Sequence, residues 1–257
     1  MLRIILPAAL ITCLGFPLPA HAIVSVGQAI IGPAKNGLHT NIELASSGVS
    51  GTTTSNTTLG GLFSQWKHGK YTDFLLLQYA YGESNGQINN NRSFVHLRHR
   101  MQVSDHWGVE AFAQAMRDPV TRMVARTLLG GGVYWTLLEQ ADKAGVYLGF
   151  GAFYEHEQLS PKVGTTDPLN TRLWRNNTYL VLKRQINDRF SVYSVTYYQP
   201  AFRNMADYRV LEQAAGTVSV YKNLHLKLST SVYYDSRPPQ GVKRTYVLYS
   251  TGITMDF

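Results

Sequence analysis

Cysteine is nearly absent: the 257-residue chain has one, Cys13, which cannot form an intramolecular disulfide. It lies in a segment expected to be removed, and a mature chain without thiols suits an oxidising compartment. Charge is sparse, at 16% Asp, Glu, Lys and Arg. No apolar run after the amino-terminus reaches the length a spanning helix needs, which excludes a helical membrane bundle. Catalytic signatures are missing as well. There is no His-x-His pair to put two imidazoles on one strand face, no Gly-x-Ser-x-Gly elbow and no Asn-His doublet. Glu155-His156-Glu157 is the nearest approach to a metal cluster, and strand alternation sends its His to the opposite face from its carboxylates. No catalytic group, metal or cofactor is therefore expected, and the chain reads as non-enzymatic.

Tyrosine and glycine are abundant instead, at 16 and 22 residues. Met1-Leu2-Arg3, an apolar stretch from Ile4 to Leu18 and Ala20-His21-Ala22 together have the form of a secretion signal, residues 1–22. A lipidation reading at Cys13 is disfavoured by Thr12, larger than the residue usual before a lipidated cysteine. Residues 23–37 lack a clear period and are read as a lead-in. From residue 38 to 257 the chain becomes a series of alternating runs. Short connections fall at 67–70, 104–106, 187–189 and 221–223, with a looser one at 139–145. Longer polar ones fall at 48–55, 82–91, 118–123, 158–171, 204–208 and 236–242. The two kinds alternate, giving twelve strands of an up-and-down, all-β outer-membrane barrel with short turns at one end and longer loops at the other.

The two faces of such a barrel are legible in several runs. Leu224, Leu226, Leu228, Thr230 and Val232 alternate with His225, Lys227, Ser229, Ser231 and Tyr233. The terminal run places Phe257, Met255, Ile253, Thr251, Tyr249 and Val247 on one face and Asp256, Thr254, Gly252 and Ser250 on the other. It ends on an aromatic residue, so Phe257, Met255, Ile253 and Tyr249 form the expected assembly signal for the barrel-insertion machinery. By the same alternation Arg98, Arg100, Glu110, Glu155, Lys227, Arg244 and Asp256 are candidate lumen charges. Facing is ambiguous at 71–81, 190–202 and 209–221, where both faces carry apolar residues. Aromatics gather at run ends, including Trp66, Trp107, Trp135 and Tyr221 on the turn side and Tyr79, Tyr154, Trp174 and Tyr198 on the loop side, as interfacial girdles require.

The segment YDSRPPQGVKRTYVLYSTGITMDF, Tyr234 to Phe257, resembles the end of the bacterial family of salt-induced outer-membrane proteins, a β-barrel domain of unknown function. SGTTTSNTTLGG, YAYGESNGQINNNR and YYQPAFRNMADYRVLEQA are similar too, so the resemblance extends over roughly Asn41 to Phe257. Tyr246, Val247 and Leu248 are less polar than the family's usual sequence after its basic pair. The resemblance implies location and architecture and brings no established activity.

Arg98 and Arg100, two apart on one strand, would form a basic stripe. With the formal net charge of +8, this favours a narrow passive pore, or an envelope-maintenance barrel, with mild anion preference and small anionic solutes as cargo. An ion-paired, side-chain-filled interior is the alternative reading of the same charges. A lipid-modifying enzyme and a loop-mediated binding or adhesion barrel are the rival function classes. Outer-membrane lipid and lipopolysaccharide are the expected surroundings, and nucleic acid is not an expected partner.

Overall fold

The computed structural model describes residues 36–49, 54–140 and 143–257. The expected signal and nearly all of the lead-in lie outside them. Twelve strands follow one another: β1 (Gly37–Val49), β2 (Ser55–His68), β3 (Tyr71–Ser84), β4 (Gln87–Gln102), β5 (Trp107–Asp118), β6 (Met123–Gln140), β7 (Ala144–Leu159), β8 (Asn170–Asn187), β9 (Phe190–Ala201), β10 (Asn204–Tyr221), β11 (Leu224–Asp235) and β12 (Thr245–Asp256). Every strand pairs antiparallel with its sequence neighbours, and β12 returns to β1 to close a barrel. Closure gives every strand a neighbour on both sides, the condition under which strands can stand in hydrocarbon, though the β1–β12 pairing is short. Among the described residues no helix is long and apolar enough to cross a membrane.

Alternation decides which side chains point out. On β4, Phe94, His96, Arg98 and Arg100 are buried, while Val95, Leu97 and His99 are exposed. On β11, Lys227, Ser231 and Tyr233 are buried, and Leu226, Leu228 and Thr230 are exposed. The runs with ambiguous facing resolve the same way. On β10, Arg209, Leu211 and Ala215 are buried, which turns Tyr208, Val210, Glu212 and Ala214 outward. Exposed Leu97, Leu129, Phe150, Leu182, Leu228 and Ile253 give the barrel an apolar exterior. Exposed rings stand near its ends, where Trp107 stacks on Trp135 at 5.2 Å and Tyr154 meets Trp174 at 5.5 Å.

The connections differ from the sequence expectation in two places. The expected loop at 82–91 is mostly strand: β3 runs to Ser84, β4 begins at Gln87, and Asn85-Gly86 makes the turn at φ 50° and 73°. Two consecutive positive φ angles are what a tight primed hairpin needs, and Asn-Gly supplies them. At 204–208, β10 already begins at Asn204, with an irregular register between Asn204 and Tyr208. Polar residues in both places obscured strand extensions beyond the apolar band, where neither face has to be apolar.

Glycines let the lumen hold large rings. A Cβ on Gly149 would lie 2.1 Å from the Tyr179 ring, and one on Gly108 would lie 2.2 Å from the Tyr134 ring. Both tyrosines fold flat over the glycine opposite them on the neighbouring strand.

Candidate functional site: the ion-paired lumen

β4 and β5 build the centre of the lumen. Arg100 lies directly opposite Glu110 in the register and Arg98 is two residues along. Both pair with that one carboxylate: Arg98 Nη1 donates to Glu110 Oε2 at 3.2 Å and Arg100 Nε donates to it at 2.9 Å. Tyr179, on β8 three strands round the barrel, donates its hydroxyl to Glu110 at 3.0 Å and accepts from Arg100 Nη2 at 2.9 Å. The arginine planes also lie over rings, Arg98 at 5.1 Å from Phe112 and Arg100 at 4.6 Å from Tyr134. Beside them, Arg98 Nε donates to His96 Nε2 at 3.3 Å, which leaves Nδ1 as the donor to Gln114 at 3.2 Å. The basic stripe therefore exists, and both its guanidinium groups are directed into a shared carboxylate.

Nearer the loop end a second network crosses the lumen. Glu155 and Glu157 on β7 face Arg126 on β6, Arg175 on β8 and Arg209 on β10. Arg126 Nε donates to Glu157 at 2.6 Å, Arg175 Nε to Glu155 at 3.3 Å, and Arg209 Nε to Asp235 on β11 at 3.0 Å. Arg175 also reaches Asp207 at 2.9 Å. Arginines outnumber carboxylates in the central network and the reverse holds here, so the two offset one another. Toward the closing strands, Lys227 on β11 donates to Glu43 on β1 at 2.7 Å, spanning β12.

Of the charges anticipated from sequence, Arg98, Arg100, Glu110, Glu155 and Lys227 are buried and point inward. Asp256 points to the same side at the turn-end rim, where Asn41 donates to it at 2.7 Å and His225 lies 3.0 Å away. Its side chain is 60% exposed. Arg244 is displaced from the expected lumen position: it precedes β12 in the loop and is exposed, because the strand begins only at Thr245. Among the assembly-signal residues, Tyr249, Ile253, Met255 and Phe257 are all exposed outward. Sequence reasoning placed Glu157 on the face of Glu155 and Asp235 inward, and both are buried there, but it did not single out Glu43, Arg92, Arg126, Arg175, Tyr179 or Arg209. Several lie in runs whose apolar lumen residues (Val181, Val195, Leu211) hid the alternation.

The loop end is latched. Arg122, at φ 67°, donates to the Ser160 carbonyl at 3.1 Å, to the Gln240 carbonyl at 3.3 Å and to Asp167. Partial burial would raise the Asp167 carboxyl, but the bond from Arg122 and the Gln240 N–H outweigh it and hold the group below its usual range.

A family model described as "Protein of unknown function, DUF481" matches residues 42–257. No curated protein matches in sequence. Among solved structures, the NanC porin is similar at 12% identity and a TM-score of 0.50, covering 84% of this chain and 98% of its own. The translocator domain of the autotransporter NalP from Neisseria meningitidis is similar at 9% identity and a TM-score of 0.49, covering 90% of this chain and 91% of its own. The NanC likeness agrees with the barrel fold and carries nothing beyond it.

Proposed function

Because the chain belongs to the DUF481 family, whose description names no activity, we propose its role from the lumen: an outer-membrane barrel that is held closed at rest. Membrane placement is supported by the apolar exterior, the aromatic ends and the closed sheet. Closure is carried by one observation. Glu110 gathers Arg98, Arg100 and the Tyr179 hydroxyl, three strands round the barrel, into one buried set, so side chains occupy space that a pore would leave to water. The architecture is porin-like, but its charges are spent on one another. Envelope maintenance, with permeation limited to rare opening, suits this interior better than steady anion flow. The resemblance of Tyr234–Phe257 to salt-induced outer-membrane proteins is consistent with work under osmotic stress. Membrane lipid and lipopolysaccharide then surround the barrel, the β12 face serves its assembly, and no chemistry is assigned to it.

Planar-bilayer recording of the heat-modifiable, folded protein tests the proposal. Folded barrels should add no steady conductance above the lipid background. Reproducible ohmic steps from wild-type protein would overturn closure and restore the narrow anion pore.

A further inference from the structure

The closing seam is shorter than the other strand pairings. β12 pairs with β1 only from Leu44↔Ile253 to Asn41↔Asp256, extended by Phe257 and Thr40, which bond each other in both directions at 2.7 and 3.1 Å. On its other edge β12 pairs with β11 from Thr245 to Met255. By the continued register Leu248–Gly252 thus faces Ala45–Val49 of β1 without a ladder pairing, although Gly252 still packs against Ala45. An open edge against hydrocarbon leaves backbone polar groups unsatisfied. Such an edge is tolerated where it borders a polar cavity.

A cavity of about 70 Å³ lies there, with Leu248 and Ser250 of the unpaired stretch in its wall. By volume it holds about five waters, the size of a small head group. Its polar lining includes Arg92, Lys227 and Gln78. Lys227 is already engaged by Glu43. Arg92 is different: it is 6% exposed, and its Nη1 has no hydrogen-bond partner among the described residues. Tyr246 engages the guanidinium elsewhere and the buried Asp118 acts on it electrostatically, yet no hydrogen bond joins Asp118 to Nη1. A buried guanidinium nitrogen without an acceptor is costly, and an oxyanion supplies what is missing. The rest of the wall includes Leu76, Phe94 and Leu248, which suits an alkyl chain.

We infer that this cavity is a binding site for an amphiphile with a small oxyanion head, carboxylate or phosphate. The head meets Arg92, and the alkyl chain passes outward between β1 and β12. The ligand enters from the membrane through the unpaired stretch rather than along the lumen axis. This rests on membrane placement and not on lumen closure, so bilayer conductance and ligand binding fail independently.

The test uses folded, heat-modifiable protein in neutral detergent with oleate and dodecyl phosphate as separate probes, and oleyl alcohol and acetate as competitors. Oleate, dodecyl phosphate or both should bind saturably, and which of them binds identifies the head. Oleyl alcohol, which lacks the charge, and acetate, which lacks the chain, should compete poorly. Arg92→Gln should weaken binding about tenfold or more, the size expected when a charge-assisted hydrogen bond is lost, while Arg92→Lys retains part of it. Should Arg92→Gln fail to fold, the seam provides a second readout. A disulfide between Ser46→Cys and Thr251→Cys, placed by continuing the register, should slow association until it is reduced. Absence of saturable binding by either probe, unchanged affinity in folded Arg92→Gln, competition by acetate equal to that of oleate, or no effect of the cross-link would each overturn the proposal.

Discussion

Glu212 is the residue that departs most from the pattern of its surroundings. It points outward on β10 between Val210 and Ala214, and its carboxylate accepts hydrogen bonds from Ser194, at 2.6 Å, and Thr196 of β9. Two hydroxyls reduce the cost of a carboxylate on an apolar face without removing it. Glu212→Leu should therefore raise resistance to urea of the barrel folded in lipid vesicles. Leu228→Arg, on the same face of the barrel, should lower its stability by about 2–4 kcal/mol near the bilayer midplane. Gln185→Arg, inward and near the turn-side mouth, should cost much less. Loss of stability in Glu212→Leu as large as in Leu228→Arg would mean that β10 faces the other way or that the carboxylate does structural work for a neighbour. The run 209–221 did not reveal Glu212 as outward because Leu211 and Ala215, which fill the lumen, are as apolar as the outward Val210 and Val218. Where the lumen side is charged or small, as at Lys227 and Ser231 on β11, the alternation is plain in the sequence.

Among the elements, β12 is the most exposed to a single deletion. Its pairing with β1 is confined to the segment from Ile253 onward, and the Phe257 backbone bonds to Thr40 lie at one end of that segment. Removing Phe257 takes away both bonds and the 65% exposed ring. The truncated chain should be secreted normally, yet give less heat-modifiable barrel in the outer membrane than the full chain. Equal amounts in both would show that the seam does not depend on its last residue. Strand number and order were legible because each hairpin announces itself through local polarity and alternation. Strand ends were less so: the polar residues on either side of Asn85-Gly86 have the composition of a long loop, although Asn-Gly between alternating runs is itself a hairpin signal. Seam length was not legible at all. It depends on how strands that are far apart in sequence meet, and local pattern carries no information about that register.

At the scale of the whole barrel, the ion pairs and buried hydrogen bonds join strands that the ladder does not. Arg209 on β10 reaches Glu155 on β7, Tyr179 on β8 reaches Glu110 on β5, and Lys227 on β11 reaches Glu43 on β1. The sequence showed Arg98, Arg100 and Glu110 to be inward, but it could not show that one carboxylate holds both arginines and a tyrosine three strands away. Those contacts depend on barrel diameter and strand tilt. The two networks carry opposite surpluses, so removing one member of each should open the lumen with opposite selectivity. Glu110→Ala leaves Arg98 and Arg100 without their shared acceptor, and its residual conductance should favour anions. Arg209→Ala leaves Glu155, Glu157 and Asp235 with fewer donors, and its conductance should favour cations. Breaking a buried pair from one side costs about 3–5 kcal/mol, so folding is checked by heat-modifiability before recording. Reversal potentials in a salt gradient read the sign directly. Opposite signs for the two variants, against a silent wild type, are the expected result. Folded variants that both stay silent would mean that apolar lumen residues such as Phe153, Val195 and Leu211 close the barrel without help from the charges.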